Sequence, residues 1–494
     1  MAPIAAIDIG SNSVRVTVTT LSPRGIPQVL EEARDVPRLI RDVEEYGKFR
    51  PETIEHLIAV LNDFRRLADA AGATIVAVAT SAARDAANGA EFVERVKREL
   101  GFEVRVIAGE EEARLAFLGA TYTLPVTDGI VLDIGGGSME VVRFEDRQVV
   151  ETWTLPLGAV RLTDRFLKSD PLETAELRAL REYVADQIAD AKIPRLARGA
   201  VLVGTGGTIR NLGKIDRARQ HYPLSRLHGH EVVREDMRRV ADIVQLRSLS
   251  ERRGIGGLNE DRADTIVAGA LVVDAMMTAL RAPALTVSGQ GLREGAALEA
   301  VSQSPLPLDG LRDAALQDAL DQFVPARRTV AETRLAIVSS LVDAVGTSIE
   351  AAVLATLYAA AVVQDIGRCV DYYNRERHTE VLLVERGLDG WSHRELALIC
   401  AVVRQAHSDR YVPTGYRPLI NPRDHEEIRA AGCILAVAEA LAMRRPDGDP
   451  GSLGWRREED RLLISASDLN AITQAELHER FSRTFGIELH SDSE

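Results

Sequence analysis

Two stretches of the chain repeat one pattern of apolar and polar positions. Residues 4–8 (IAAID) form a short apolar run, 10–13 (GSNS) a small polar turn, and Val14, Val16 and Val18 then alternate with polar neighbours. That pattern predicts a buried strand, a tight turn and a half-buried strand. Residues 129–144 (GIVLDIGGGSMEVVRF) restart the same order, and the leading aspartates Asp8 and Asp133 lie 125 positions apart. The spacing predicts an internal duplication of one domain type. Helical periodicity covers about 51–71, with Pro51 placed for a first turn. Residues 75–86 read as a strand running into a polar loop, 89–100 as a helix, 102–107 as a strand, and 109–122 as a helix with an acidic first turn. Further strand-to-loop transitions fall at 200–208 and 284–295.

After 302–310 (SQSPLPLDG), which reads as a linker, the character changes. Residues 311–445 are helical in pattern, with Ala-, Leu- and Val-rich faces. A second breaker covers 444–455, followed by a strand-like 461–466 and an amphipathic helix from about 473 to 484. The expected domains are therefore 1–123, 124–303, 310–445 and 446–494.

Composition narrows the function classes. The length of 494 residues exceeds one core, and 46% hydrophobic with 27% charged residues describes an ordinary soluble protein. No uninterrupted run reaches the ~18 apolar residues of a membrane helix, and the first residues lack a signal-peptide pattern. The three cysteines, Cys369, Cys400 and Cys433, make neither a zinc pattern nor a disulfide framework, so a reducing cytoplasm is the expected location. Few aromatics and a net charge of −14 argue against nucleic acid as a partner, and no membrane partner is expected. A polyanionic substrate would need local basic patches, backbone N–H groups or a metal ion.

The repeated turns offer such groups. Glycine permits the backbone angles and close approach by which amides converge on an anion, and Ser11, Ser13 and Ser138 add hydroxyls. An aspartate at the preceding strand end cannot pair with phosphate directly, so Asp8 and Asp133 are expected to hold Mg²⁺ or a water on it. The segment 204–208 (GTGGT) precedes a predicted helix and makes Gly206, Gly207 and Thr208 a third anion-site candidate. One such hairpin alone is only a flexible turn. Two, with the third loop, resemble the phosphate- and adenosine-binding loops of the actin/sugar-kinase/Hsp70 (ribonuclease H-like) fold.

Seven blocks sharpen the resemblance. IAAIDIGSNSVRV (4–16), VATSAARDAANG (78–89), VIAGEEEARLAFLG (106–119), VLDIGGGSMEV (131–141), LPLGAVRL (155–162), VGTGGTIRNL (203–212) and SGQGLREG (288–295) occur in this order. Together they resemble the Ppx/GppA family of exopolyphosphatases and guanosine pentaphosphate phosphohydrolases over about residues 4–300. The resemblance implies an α/β fold with duplicated actin-like domains, then an all-α HD-like domain and a small C-terminal domain. Periodicity does not separate Glu111 from Glu112; the family motif places the water-activating glutamate at Glu112, with Glu110 and Glu111 left to favour the helix N-terminus. Phosphoanhydride hydrolysis needs an oriented water, charge neutralisation and a metal. Asp133 and Glu140, with Asp8, are then expected to hold Mg²⁺ or Mn²⁺. Gly135, Gly136, Gly137 and Ser138, with Ser11, Asn12 and Ser13 opposite, would cradle phosphate. Arg84 is expected either as a direct phosphate cation or as half of a surface ion pair; Arg38, Arg210, Lys214 and Arg293 are weaker candidates for the substrate path.

In the helical part, AAAVVQDIGR (359–368) aligns with the His-Asp pair of HD phosphohydrolases, but Gln364 stands at the His position while Asp365 is retained. A Gln amide is a poor ligand for a transition metal. The part is expected to pack and to dimerise, with His378, His393 and His407 structural or lining a basic channel. Three functions compete: an exopolyphosphatase acting on inorganic polyphosphate; a phosphohydrolase converting guanosine pentaphosphate (pppGpp) to the tetraphosphate (ppGpp); and an alarmone sensor with little turnover. A sugar kinase shares the fold, but the blocks speak against it.

Overall fold

In the computed structural model, which describes residues 2–302, 304–346, 349–445, 454–465 and 475–491, both repeated segments are hairpins. Strands β1 (Ile4–Ile9), β2 (Val14–Leu21), β3 (Pro27–Asp35), β4 (Thr74–Ala79) and β5 (Val104–Val106) form a sheet of order β3-β2-β1-β4-β5. Strands β6 (Gly129–Ile134), β7 (Met139–Glu145), β8 (Gln148–Leu155), β9 (Val201–Thr205), β10 (His230–Val233) and β11 (Ala284–Val287) form a second, of order β10-β11-β9-β6-β7-β8. In each, an antiparallel meander of three strands continues into parallel partners.

The duplication holds at the level of register. Asp8 faces Arg15 across the first hairpin, and Asp133 faces Glu140 across the second. Gly10 N–H donates to the Ser13 carbonyl at 3.1 Å, and Gly135 N–H to the Ser138 carbonyl at 3.0 Å. One backbone device therefore carries opposite charges at equivalent positions, Arg15 and Glu140.

Amphipathic helices cover the sheets. Pro51–Ala70 begins with proline, whose missing N–H is harmless in a first turn, and buries Leu57, Leu61, Phe64 and Ala68 on one face. Each such large side chain contributes about 1.5–3 kcal/mol. Ile266–Ala279 is buried on nearly all sides in the core of the second sheet. Helix Leu292–Ala300 returns to the first sheet, where Leu292 and Ala296 pack with Val78, Ile107 and Leu115. It crosses Gly109–Thr121 so tightly that a Cβ on Gly295 would lie 1.9 Å from the Leu115 carbonyl oxygen, and one on Gly119 1.9 Å from that of Gly291. The glycines of GEEEARLAFLG and GLREG are thus a close helix contact.

Several boundaries differ from expectation. The polar loop expected after Ala79 contains a short helix, Ser81–Asp85, and 102–107 narrows to Val104–Val106. The chain divides into two units, residues 1–222 with 227–311 and residues 223–226 with 312–494; both sheets above belong to the first.

In the second unit the helices Arg328–Val345, Ala351–Val363, Arg375–Arg386, His393–His407 and Asp424–Ala442 bear out the helical pattern. Ala351–Cys369 is long and apolar enough by length and composition to cross a membrane, which the count of uninterrupted apolar residues missed because Gln364, Asp365 and Arg368 lie within it; 67% of that window is buried inside the protein. A three-stranded sheet, Arg456–Glu458, Arg461–Ile464 and Glu488–Ser491, flanks the helix Ala475–Phe485. Most of the expected breaker (446–453), residue 466 and the expected helix start at 473–474 lie outside the described residues.

Candidate active site

The first unit contains a cleft of about 100 Å³ at the C-terminal ends of β1 and β6. The two hairpin turns meet there. A Cβ on Gly136 would come 3.1 Å from Asn12 Cβ, and one on Gly137 2.9 Å from Ser81 Oγ. Ser11 Oγ is 2.6 Å from Ser81 Oγ and accepts from Ala82 N–H at 3.2 Å.

The loop carbonyls are held from behind by the same device in both halves. The N–H groups of Ala159 and Val160, at the start of helix Ala159–Phe166, donate to the Gly135 and Gly136 carbonyls at 3.0 Å. Arg38 and Ile40 N–H, beside helix Leu39–Tyr46, donate to the Asn12 and Ser11 carbonyls at 3.1 and 2.9 Å. Taking up those oxygens leaves the amides of Gly136, Gly137 and Ser138 without a protein acceptor among the described residues. Such free amides form an anion-binding nest. Gly158, of the LPLGAV block, has to lack a side chain, because a Cβ would fall 2.3 Å from the Gly136 carbonyl oxygen.

The third loop approaches from β9. Gly206 has φ +90°, and a Cβ there would lie 2.6 Å from Asp133 Oδ1. Arg262 packs over Gly207, and Asn12, with its amide oxygen turned toward Arg262, accepts from it at 3.0 and 3.2 Å.

Charges of both signs are buried here. Asp8, Glu112, Asp133 and Glu140 form one group, and burial pushes Asp8 and Asp133 up to about 6 against the opposing pull of Arg293 and Arg15 on Asp8 and of Arg210 on Asp133. Burial, then the Asp133 charge, pushes Glu140 up to about 8. Glu112 is raised by burial and then by Glu140, Asp133 and Asp8. Arg15, Arg210, Arg262 and Arg293 form a second group, which meets the first at Asp8 and Asp133. Burial, then Arg210, lowers Arg15 to about 9; burial and Arg210 also lower Arg262, to about 10, while Asp261 opposes the shift. Burial and Arg293 lower Arg210. Like charges buried together and not neutralised by each other form a site with two counterparts to find, a cation and an anion.

Asp8, Ser11, Asn12, Ser13, Glu112, Asp133, Gly135, Gly136, Gly137, Ser138, Gly206, Gly207, Arg210 and Arg293 all line the cleft. Glu140 lies just behind, 1% exposed, paired across the strands with Asp133. Glu111 is turned away to Arg105 at 2.9 Å, so geometry separates it from Glu112. Arg84 stands 3.7 Å from Glu112 Oε2, 3.9 Å from Asp85, and donates to the Ile107 carbonyl at 2.8 Å.

Four candidates fall elsewhere, among them Arg84, which does not line the cleft. Thr208 does not line the cleft: its side chain occupies the space beside Gly269, where a Cβ would lie 2.1 Å from Thr208 Cγ2. Lys214 lies a turn beyond Arg210, outside the lining. Arg38 is committed to Asp264 and the Asp261 carbonyl. The sequence reading missed Arg15, Ser81, Arg262 and Glu294. Arg15 carried a usable signal, since it occupies the repeat position of Glu140.

Residues 17–304 match the model of the Ppx/GppA phosphatase family. "Exopolyphosphatase 1" of Mycobacterium tuberculosis (strain ATCC 25618 / H37Rv) is 32% identical over 297 residues, 59% of this chain and 86% of that protein. "Exopolyphosphatase 2" of the same strain is 32% identical over 311 residues, 60% of this chain and 97% of that protein. The crystal structure of the Aquifex aeolicus Ppx/GppA family member is 34% identical with a TM-score of 0.55, covering 60% of this chain and 97% of that one.

Proposed function

The chain belongs to the Ppx/GppA phosphatase family and is a phosphoanhydride hydrolase, and from that premise we propose that it removes terminal orthophosphate from inorganic polyphosphate. The observation that carries this reading is a single cleft that buries both arginines and carboxylates around the loop amides. The arginines suit a chain of phosphates, and the carboxylates suit a metal and a water at the chain terminus.

The carboxylate group fits a hard divalent cation such as Mg²⁺ or Mn²⁺. Asp8 Oδ1, Glu112 Oε2 and Glu140 Oε1 are buried without a hydrogen-bond partner among the described residues. These residues hold no ready-made group of three ligating side chains, but Mg²⁺ retains several waters and needs only one or two carboxylates. Asp133 and Glu140 are the ligand candidates, with Asp8 opposite. When bound, the ion would neutralise charge on the transferring phosphoryl group.

The chain's own groups supply the rest. The free amides of Gly136, Gly137 and Ser138 would hold the terminal phosphoryl oxygens, as preorganised donors do for developing charge. Glu112 would accept a hydrogen bond from the attacking water and take its proton as the P–O bond forms, and its raised affinity for protons suits a general base near neutral pH. Arg84, tied to the Ile107 carbonyl and facing Glu112, would fix the base and meet the leaving chain. The test is orthophosphate release from long-chain polyphosphate with added Mg²⁺ and with chelator. Release that persists in chelator would remove the metal from this account.

We also propose that the helical unit is HD-like with its metal replaced by a side chain. The fully buried Arg334 guanidinium bonds Asp365, Glu439 Oε2 at 2.7 Å and the Ala361 carbonyl at 2.6 Å. Gln364, at the expected His position, donates to the same Glu439 oxygen at 2.7 Å. A resident cation bridging two carboxylates makes a second cation there superfluous.

A further inference from the structure

Beside that replaced centre, the second unit holds a cavity of about 840 Å³, much larger than the cleft of the first. Its volume lies in the range of small-molecule sites, about 300–1,000 Å³, and far above what one phosphate needs. Six arginines line it: Arg368, Arg375, Arg410, Arg444, Arg480 and Arg483. Three are committed to carboxylates. Arg368 pairs with Asp365 and Glu439, and Arg480 and Arg483 pair with Asp409. Arg375, Arg410 and Arg444 have no carboxylate partner among the described residues. Arg375 donates to the Tyr372 carbonyl at 3.2 Å and Arg444 to the Ala440 carbonyl at 2.9 Å. In a chain of net charge −14, a cavity with three uncommitted guanidinium groups points to a phosphate-bearing ligand.

The same wall presents hydrogen-bond acceptors that a bare phosphate chain cannot use. The Gln364 amide nitrogen is fixed by Glu439, and its carbonyl oxygen is buried without a donor. Burial, then Arg375, holds His407 below its usual range, so it is neutral near pH 7. Its Nδ1 faces the Val403 carbonyl at 3.3 Å, so Nδ1 carries the proton and Nε2 is an acceptor. Glu476 and Glu479 also line the cavity. An inorganic phosphate chain is all acceptor and would be repelled by those carboxylates; a nucleoside polyphosphate brings ribose hydroxyls and base N–H donors as well. Tyr372, half exposed at the cavity wall, carries the Arg368 and Arg375 guanidinium groups over its ring at 4.9 Å each, and the exposed Tyr373 ring beside it at 5.5 Å offers an aromatic surface for a base.

We propose that this cavity is a binding site for a nucleoside polyphosphate, distinct from the cleft in the first unit. The phosphates would engage Arg375, Arg410 and Arg444, and the nucleoside would lie toward Gln364, His407 and the tyrosines. The proposal does not depend on the reaction assigned to the cleft.

The experiment is calorimetric titration of the full chain with GTP, ATP and tripolyphosphate, in chelator so that metal-assisted turnover is suppressed. A double variant, Arg375→Ala/Arg410→Ala, is compared with Gly136→Val, whose side chain would obstruct the cleft between the two hairpin turns. The expected result is a nucleotide-binding event weakened at least about tenfold in the arginine variant and unchanged in Gly136→Val. Phosphate release from polyphosphate by the arginine variant should match the unmodified protein, which also shows that it folds. Arg410→Ala/Arg444→Ala, two exposed positions, repeats the test with little risk to folding. Binding unchanged in both arginine variants but lost in a cleft variant would overturn the proposal. So would tripolyphosphate binding this cavity as tightly as the nucleotides, or no nucleotide binding at all.

Discussion

Replacing Glu140 by glutamine should move stability and activity in opposite directions. Glu140 is 1% exposed, faces Asp133 across the hairpin and has its proton affinity raised from 4.5 to about 8, first by burial and then by Asp133. An acid whose folded value is raised costs the folded state nothing below its unfolded value. The cost begins as pH rises through about 4.5 and stops growing at about 8. Between 4.5 and pH 7 that gap corresponds to roughly 3 kcal/mol of destabilisation in the metal-free protein. Glu140→Gln keeps the shape and an acceptor for Ser138 but removes the charge. The metal-free variant should therefore resist urea better than the unmodified protein by roughly 3 kcal/mol at pH 7 and by more at pH 8, with the gain vanishing near pH 4.5. Its orthophosphate release should fall at least about a hundredfold, the scale of losing a preorganised electrostatic partner. Paired urea titrations at several pH values and a phosphate-release assay read both effects. A variant that is less stable at pH 7.5, or more stable by the same amount at every pH, would show that Glu140 is a structural group and refute the argument.

Glu112→Gln should lower kcat by at least about a hundredfold with little change in KM, measured by steady-state phosphate release, because a general base acts on the water and not on substrate binding. Gly206→Ala should destabilise the first unit by about 1–2 kcal/mol from its positive φ alone and weaken activity further, since the methyl group would displace Asp133; chemical denaturation and the same assay check it. Metal binding in the cleft should release protons and weaken as pH falls through about 8, where Glu140 protonates, and weaken further below about 6, where Asp8 and Asp133 follow; calorimetry in buffers of different ionisation enthalpy detects this. Arg334→Leu should cost the second unit about 3–5 kcal/mol by leaving Asp365 and Glu439 buried without their cation, seen as an earlier unfolding transition.

The hairpins were legible because their signal is local. A strand with alternating valines and a turn of Gly and Ser need no distant partner to be recognised, and the 125-residue spacing is preserved in the register of Asp8 and Asp133. The same repeat contained more than the pattern of apolar positions revealed. Arg15 and Glu140 are its equivalent residues, and they carry opposite charges. Arg262 was invisible because it follows an unremarkable loop and reaches the cleft only through the packing of Gly207 and Asn12. Thr208 misled because a motif gives residue order and not side-chain direction, and the cavity beside Gly269 decided it. In the helical unit Gln364 stands where the HD-like pattern expects His, but nothing in the sequence pointed to Arg334, the buried cation that helix Arg328–Val345 brings to Asp365.

The most direct test compares orthophosphate release from inorganic polyphosphate and from guanosine pentaphosphate, with Mg²⁺, by the unmodified protein and by Glu112→Gln. The account predicts faster release from polyphosphate, lost in the variant. Release from guanosine pentaphosphate alone, or release from polyphosphate that survives the substitution, would contradict it.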